Sequence, residues 1–208
     1  MKFRKILFVL LILQVLFTLG MKFLSYFGDD SPELQTHILK YFTQSDIEKG
    51  IEYGRRGFFV RIVSQIIDFI ILGLFVFTSL ANRIENYLEK ITNNRYYAVV
   101  VLFFLVFSLI EFILSIPFQF YFGYILEHQF GFSKMTFIAW VIYTAKSALV
   151  GVGFGVLIAL AAAFTLKTFQ KTWKYLLPIG SLSLSLIFSI LYPILITPIF
   201  YDYKPIEE

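Results

Sequence analysis

Glu127 and His128 are adjacent in the aromatic stretch QFYFGYILEHQFGFSKMT, which covers residues 119–136. Glutamate and histidine at short spacing can bind zinc and activate water, usually as H-E-x-x-H on a helix with two imidazoles one turn apart. The chain contains two histidines, His37 and His128, and neither is followed by Glu. It contains no cysteine, so neither residue types nor spacing support a three-ligand zinc site. We therefore predict no catalytic residue and no metal ligand in this sequence.

Composition restricts the class of protein. The 208 residues are 58% apolar, 20% aromatic and 15% charged, whereas soluble domains are about half apolar and about a quarter charged. This composition is typical of membrane proteins, so we predict the lipid bilayer as the main surroundings. The net charge of +4 is spread along the chain, which predicts no nucleic-acid partner.

Five apolar runs are each long enough to cross a bilayer as a helix, which takes about 20 residues. The runs cover residues 6–27, 58–80, 97–118, 147–166 and 175–200, and the last is expected to end or kink near Pro193. They predict an all-α, multi-pass integral membrane protein with about five transmembrane helices, short interfacial helices and one transmembrane domain over residues 1–208. The first run could also be a signal peptide, but no small-x-small cleavage site follows Gly20, which favours an anchor.

Three charged residues lie within the second and third apolar runs: Arg61, Asp68 and Glu111. Such residues are costly in lipid and often mark functional paths, although they also pair with one another or face a wet interior. We expect all three to face the interior of the helix bundle, with Glu111 a candidate partner for Arg61. These residues motivate an alternative function, a small membrane transporter or channel subunit.

Small residues recur at every fourth position of the fourth run, through Ser147, Gly151, Gly155, Ala159 and Ala163. This spacing forms one narrow ridge on a helix, and small side chains allow two helices to approach closely in lipid. We expect Gly151, Gly155 and Ala159 to pack against another helix of the same chain. A seam between two copies of the chain is the alternative.

The stretch around Glu127 resembles a segment of the CAAX prenyl endopeptidase type 1 family, which are membrane zinc metalloproteases. The residues that match this signature are Tyr121, Ile125, Glu127, Phe130, Gly131, Phe132, Ser133, Lys134 and Thr136. A second match, PIFYDYKPIEE, contains Pro198, Phe200, Tyr203, Pro205, Ile206 and Glu207. A third, weaker match is DIEKGIEYGRRGF, before the second run. Together they extend over essentially the whole chain.

The resemblance implies the N-terminal membrane-cage domain of such a protease. Family members carry H-E-x-x-H and a further Glu ligand beyond the point matched by Glu208, so the resemblance implies a truncated or split enzyme that is non-catalytic alone. A stand-alone membrane module that has kept the cage for another use is a third explanation. Zinc is then expected only with a catalytic part, which a separate chain could carry. We expect Gly131 to adopt a positive φ and Ser133 to cap a short helix.

Two further expectations concern the loops. Thr43 or Ser45 can cap a helix, and Ser45 and Glu48 have the spacing of a capping box. Lys and Arg in the short loops favour a cytoplasmic N-terminus, whereas the resemblance implies the opposite, so the membrane orientation is left open.

Overall fold

The computed structural model describes residues 2–26 and 38–200, and these residues form helices and turns without any strand. The elements are α1 (Lys2–Tyr26), α2 (Gln44–Phe77), α3 (Leu80–Ile91), α4 (Tyr96–Phe120), a π-helical turn (Tyr121–Leu126), α5 (Glu127–Gln129), α6 (Phe137–Thr168), α7 (Trp173–Leu191), a second π-helical turn (Tyr192–Ile196) and α8 (Thr197–Phe200). The predicted all-α class is confirmed.

Within residues 2–26 and 38–200, five segments are long and apolar enough to cross a membrane, which confirms the predicted number. They are Ile6–Leu24, Gln44–Phe77, Tyr96–Gln129, Phe137–Thr168 and Trp173–Phe200. Large apolar side chains point outward from them, including Phe17 and Leu149, whose exposed fractions are 69% and 75%. Such side chains are stable in contact with lipid but not with water. The chain is therefore a multi-pass integral membrane protein.

Two helices begin well before the apolar runs that predicted them. The second starts at Gln44, where the Thr43 side chain accepts a hydrogen bond from the Asp46 backbone N–H and the Asp46 carboxylate accepts one from the Thr43 backbone N–H. Of the two predicted cap candidates, Thr43 is therefore confirmed, with Asp46 completing the capping box, and the predicted box of Ser45 and Glu48 is wrong. Thr43 precedes the helix with extended backbone, as a cap must, whereas Ser45 lies inside the first turn.

The fourth long helix starts at Phe137, so the predicted short helix after Ser133 is the first part of α6. Thr136 caps it, because its Oγ1 accepts a hydrogen bond from the Ala139 N–H at 3.2 Å. Ser133 instead accepts from the Met135 N–H within the preceding turn. No Gly or Pro interrupts residues 137–150, so the helix continues into the apolar run.

The described helices group into two compact units. The first contains residues 2–26, 38–87 and 107–140, in which Phe23 packs edge-on against Phe58 and Phe75 against Phe107, with ring centroids 5.5 and 5.0 Å apart. The second contains residues 88–106 and 141–200, where Phe154 packs against Phe188 at 4.8 Å. The single domain over residues 1–208 stays a prediction.

The kink expected near Pro193 coincides with the second π-helical turn, Tyr192–Ile196. Proline lacks a backbone N–H and disrupts the regular hydrogen bonds of an α-helix. A wider π turn accommodates such an interruption without ending the helical path.

Candidate functional site

The signature segment, residues 121–136, begins in the π-helical turn that follows α4 and continues through α5, which ends at Gln129. Leu126, at the end of the π turn, is fully buried, and Phe130 is only 6% exposed. Tyr121, at its start, is half-buried and lies beside Phe122, with ring centroids 5.9 Å apart. A π turn changes the direction in which later side chains leave the helix. Here it precedes the residues that contact α2.

Tyr53 of α2 donates a hydrogen bond from its hydroxyl to Glu127 Oε1 at 2.6 Å. One turn later, Arg56 donates to the Gln129 side-chain oxygen at 3.2 Å and forms an ion pair with Glu52. These bonds join two of the stretches whose sequences resemble the family: DIEKGIEYGRRGF on α2 and the stretch around Glu127. The sequence patterns did not predict this contact, and the weaker match DIEKGIEYGRRGF was the only signal for the α2 side of it.

Aromatic rings and cations complete the contact. Tyr53 packs edge-on against Phe130 and Phe132, at 5.4 and 5.1 Å between ring centroids. The Lys49 ammonium lies 5.3 Å from the Phe132 ring centre, and the Arg56 guanidinium lies 5.6 Å from that of Phe130. We call this set the signature junction: Lys49, Tyr53, Arg56, Glu127, Gln129, Phe130 and Phe132.

Gly131 ends the helix in a left-handed conformation, with φ of 72°, which confirms the expected positive φ. The Phe132 N–H donates to the Glu127 carbonyl at 2.9 Å, and the Gly131 N–H donates to the His128 carbonyl at 3.1 Å. This hydrogen-bond pair is a Schellman cap, which favours glycine at the left-handed position. It brings Phe132 back toward Tyr53. Lys134, in the turn that follows, is exposed.

His128 is engaged within its own helix. Its Nδ1 lies 2.6 Å from the Tyr124 carbonyl oxygen, and its ring centre lies 4.3 Å from that of Tyr124. His37 lies outside the described residues. Over residues 2–26 and 38–200, no group of three or more His, Cys, Asp or Glu residues could hold a metal ion. The described residues therefore do not supply the three protein ligands that a zinc site needs.

A polar groove lies in the first unit, with a volume of about 420 Å³. It is lined by Lys22, Arg61, Ser64, Gln65, Asp68, Ser115, Phe118, Gln119 and Phe122. Arg61 and Asp68 therefore face one groove, as their spacing on a helix predicts. The Arg61 guanidinium lies 5.4 Å from the Phe122 ring centre.

Glu111 does not line the polar groove, and no ion pair joins it to Arg61 in the described part of the chain. The register of α2 against α4 explains the difference. Arg61 contacts Phe122, and Glu111 precedes Phe122 by eleven residues, which is about 16 Å along the helix axis. The expected pair is thus too widely separated to form.

The ridge of small residues on α6 is covered along part of its length. A Cβ atom at Gly155 would overlap the Phe104 ring of α4, and the Tyr96 hydroxyl donates to the Ala163 carbonyl at 3.3 Å. Ala159 lies between these contacts and is half-buried. Gly151 is exposed, with no neighbouring atom within 4 Å of a Cβ placed there.

The C-terminal match is described only as far as Phe200. Pro198 and Phe200 belong to α8, and the Phe200 ring packs against Tyr143 with ring centroids 5.1 Å apart. Tyr203, Pro205, Ile206 and Glu207 lie outside the described residues.

Comparisons with known proteins agree with these features. The family described as "CAAX prenyl protease N-terminal, five membrane helices" matches residues 29–202. The CAAX prenyl protease 1 homolog of Dictyostelium discoideum is 31% identical over 111 residues, which cover 50% of this chain and 25% of that relative. No solved structure gives a significant match. The family match includes the signature junction and the ridge on α6, and the chain belongs to the CAAX prenyl protease N-terminal family of five-helix membrane domains.

Proposed function

We propose that this chain is a membrane platform of a CAAX prenyl protease-like enzyme and that its own residues neither bind zinc nor hydrolyse peptides. The observation that carries the proposal is the use of the Glu127–His128 pair. Glu127 accepts a hydrogen bond from Tyr53, and His128 bonds to the carbonyl of Tyr124. Glu127 therefore supports the signature junction and His128 bonds within its own helix, so the two side chains do not form an open pair of metal ligands.

Zinc binding and catalysis would then depend on residues outside these 208, either in the same polypeptide or in a separate chain. The relative from Dictyostelium supports this division, because the match covers only 25% of its length and its name describes a protease. The 208 residues themselves contain no H-E-x-x-H. The platform would position a catalytic part at the membrane, where a lipid-modified peptide is also held.

A cleavage assay tests this proposal. The purified chain is incubated with a prenylated peptide ending in C-a-a-X, with and without added zinc, and the products are separated by chromatography. We expect no cleavage in either sample. Zinc-dependent cleavage that is lost in Glu127→Gln, with the helical circular dichroism retained, would contradict the proposal.

A second candidate function is transport, which the polar groove favours. Arg61 and Asp68 line this groove inside segments that are otherwise apolar, and charged groups in such positions often line ion paths. Proton and sodium flux into vesicles containing only this chain would test it. Flux that Asp68→Asn abolishes would favour transport, whereas absence of flux would leave the platform as the better account.

A further inference from the structure

The polar groove has a lining that the platform role does not use. Its side chains provide two cations, one carboxylate, two hydroxyls and two carboxamides. Its volume of about 420 Å³ is comparable with that of small-ligand sites, which range over roughly 300–1,000 Å³. A groove in the second unit, which includes Tyr143 and Gly151, is lined by aromatic, aliphatic, glycine and serine residues. The charged lining of the polar groove is therefore chemically distinct.

The two cations lie near the same membrane surface. Arg61 is three residues beyond Phe58, where the apolar part of α2 begins, which is about 4.5 Å along the helix. Lys22 is two residues before Leu24, where the first spanning segment ends, which is about 3 Å. Both side chains can therefore reach the level of lipid head-group phosphates.

Arg61 is held in a defined position. Its guanidinium lies over the Phe122 ring and fills the space left by Gly57. A Cβ atom at Gly57 would be 2.8 Å from a guanidinium nitrogen and 3.2 Å from the Phe122 ring. In the described ranges, Arg61 forms no ion pair with a carboxylate. Its forked N–H donors, which suit a phosphate group, are thus available in a fixed orientation.

The charges and polar atoms of the groove favour an anionic and polar occupant. Asp68 is the one carboxylate among the described lining residues, and the Arg61 guanidinium forms no ion pair with it. The Gln65 side-chain oxygen is buried and has no hydrogen-bond partner within the described residues. A buried acceptor without a donor is unfavourable, and a water molecule or hydroxyl brought into the groove would satisfy it.

We propose that the polar groove binds the phosphate group of an anionic phospholipid. Arg61 contacts the phosphate oxygens, and water or a hydroxyl of the lipid donates to Gln65. The acyl chains extend along the outward apolar surface of the same helices, where Leu114 and Ile113 are exposed. This binding would be independent of any protease activity.

Native mass spectrometry of the full chain in detergent can test the proposal. The protein is titrated with dioleoylphosphatidylglycerol, with dioleoylphosphatidylcholine and with inorganic phosphate. We expect half-saturation by phosphatidylglycerol at a concentration about tenfold lower than by phosphatidylcholine, because only the former leaves a net negative charge to match Arg61. Inorganic phosphate at the same concentrations should neither bind nor displace the lipid, since it lacks the apolar contacts.

Two variants and a matched control assign the binding to Arg61. Arg61→Gln should raise the half-saturating concentration of phosphatidylglycerol about tenfold, as loss of a charge-assisted contact predicts. Gly57→Ala should act in the same direction by displacing the guanidinium while keeping its charge. Arg55→Gln makes the same change of charge outside the groove lining and should bind as the unmodified chain does.

Three results would overturn the proposal: equal affinity for the two lipids, unchanged binding in both Arg61→Gln and Gly57→Ala, or displacement of the lipid by inorganic phosphate. Helical circular dichroism and gel filtration establish whether each variant is folded. If Arg61→Gln is not folded, the result for Gly57→Ala decides, because that variant retains the arginine.

Discussion

The hydrogen bond from Tyr53 to Glu127 is the most specific contact of the signature junction. It joins residues on α2 and α5 that lie far apart in the sequence, and the 2.6 Å distance is typical of a hydroxyl donating to a carboxylate. Phe130 and Phe132 pack around the same tyrosine. A directional hydrogen bond surrounded by rings explains how a short, mostly apolar segment is fixed at one place on α2.

Removing the hydroxyl should measure the strength of this contact. Tyr53→Phe keeps the ring packing but leaves Glu127 without its donor, which should lower the free energy of unfolding by about 1–2 kcal/mol. Thermal unfolding in detergent, followed by circular dichroism, would detect the change. Tyr87→Phe is the matched control, because Tyr87 is 65% exposed on α3. Equal melting temperatures for the two variants would contradict a stabilising role for the hydrogen bond.

Gly131 should be sensitive to substitution because of its backbone and not because of crowding. A Cβ at Gly131 would meet no atom within 4 Å, yet its φ of 72° is unfavourable for alanine by about 1 kcal/mol. Gly50 also has open space, but it lies within α2 with ordinary helical φ. We expect Gly131→Ala to be destabilising and Gly50→Ala to be neutral or stabilising. Chemical unfolding in detergent would show the two signs, and stabilisation by Gly131→Ala would be inconsistent with the Schellman cap.

At the scale of whole helices, α4 and α6 approach closely at Gly155. Phe104 occupies the space that a side chain at this position would need, so the two helices pack through a ring on one side and a glycine on the other. The sequence spacing predicted that the ridge packs, but it did not identify the partner. A ring is a larger partner than the small residues that commonly face such ridges.

A leucine at Gly155 should separate the two helices or displace Phe104. Overpacking of this kind costs about 1–3 kcal/mol, and we expect Gly155→Leu to lower the melting temperature in detergent. Gly153→Leu is the matched control on the same helix, because a Cβ at Gly153 meets nothing within 4 Å and its position is exposed. If both variants have the same melting temperature as the unmodified chain, the contact between Phe104 and Gly155 is not important for stability.

The positions where α2 and α6 begin could not be predicted from the apolar runs. Apolar runs mark the part of a helix that lies in lipid, because lipid contact requires about 20 apolar residues. They do not mark where the helix begins in water. The polar stretch Gln44–Gly57 continues α2 outside the apolar run, and residues 137–146 continue α6 in the same way. The starts depend on caps at Thr43 and Thr136. The sequence offered Thr43 only as an alternative to Ser45, and it did not identify Thr136 as a cap.

At the scale of the whole molecule, the number of spanning helices and the family were predictable from the sequence, whereas the contacts of the candidate site were not. The five runs and the signature residues are local patterns, which one sequence displays directly. The pairing of Tyr53 with Glu127, and the separation of Arg61 from Glu111, depend on the register between helices. No spacing within one helix contains that information.

The platform proposal also predicts that the whole chain does not bind zinc tightly. The described part of the chain has five helices that can span a membrane, but the sequence has two histidines, no cysteine and no H-E-x-x-H. His128, the histidine within the described residues, bonds to the carbonyl of Tyr124. A structural zinc site normally needs four ligands and a catalytic one three. The purified chain should therefore remain free of tightly bound zinc even after exposure to the metal.

Zinc content of the purified chain is the most direct measurement. The protein is expressed alone, exposed to zinc, passed through gel filtration in detergent and measured by inductively coupled plasma mass spectrometry, with His128→Ala as the matched variant. We predict no stoichiometric zinc in either protein. One zinc ion per chain in the unmodified protein, lost in His128→Ala while the helical circular dichroism is retained, would contradict the platform role.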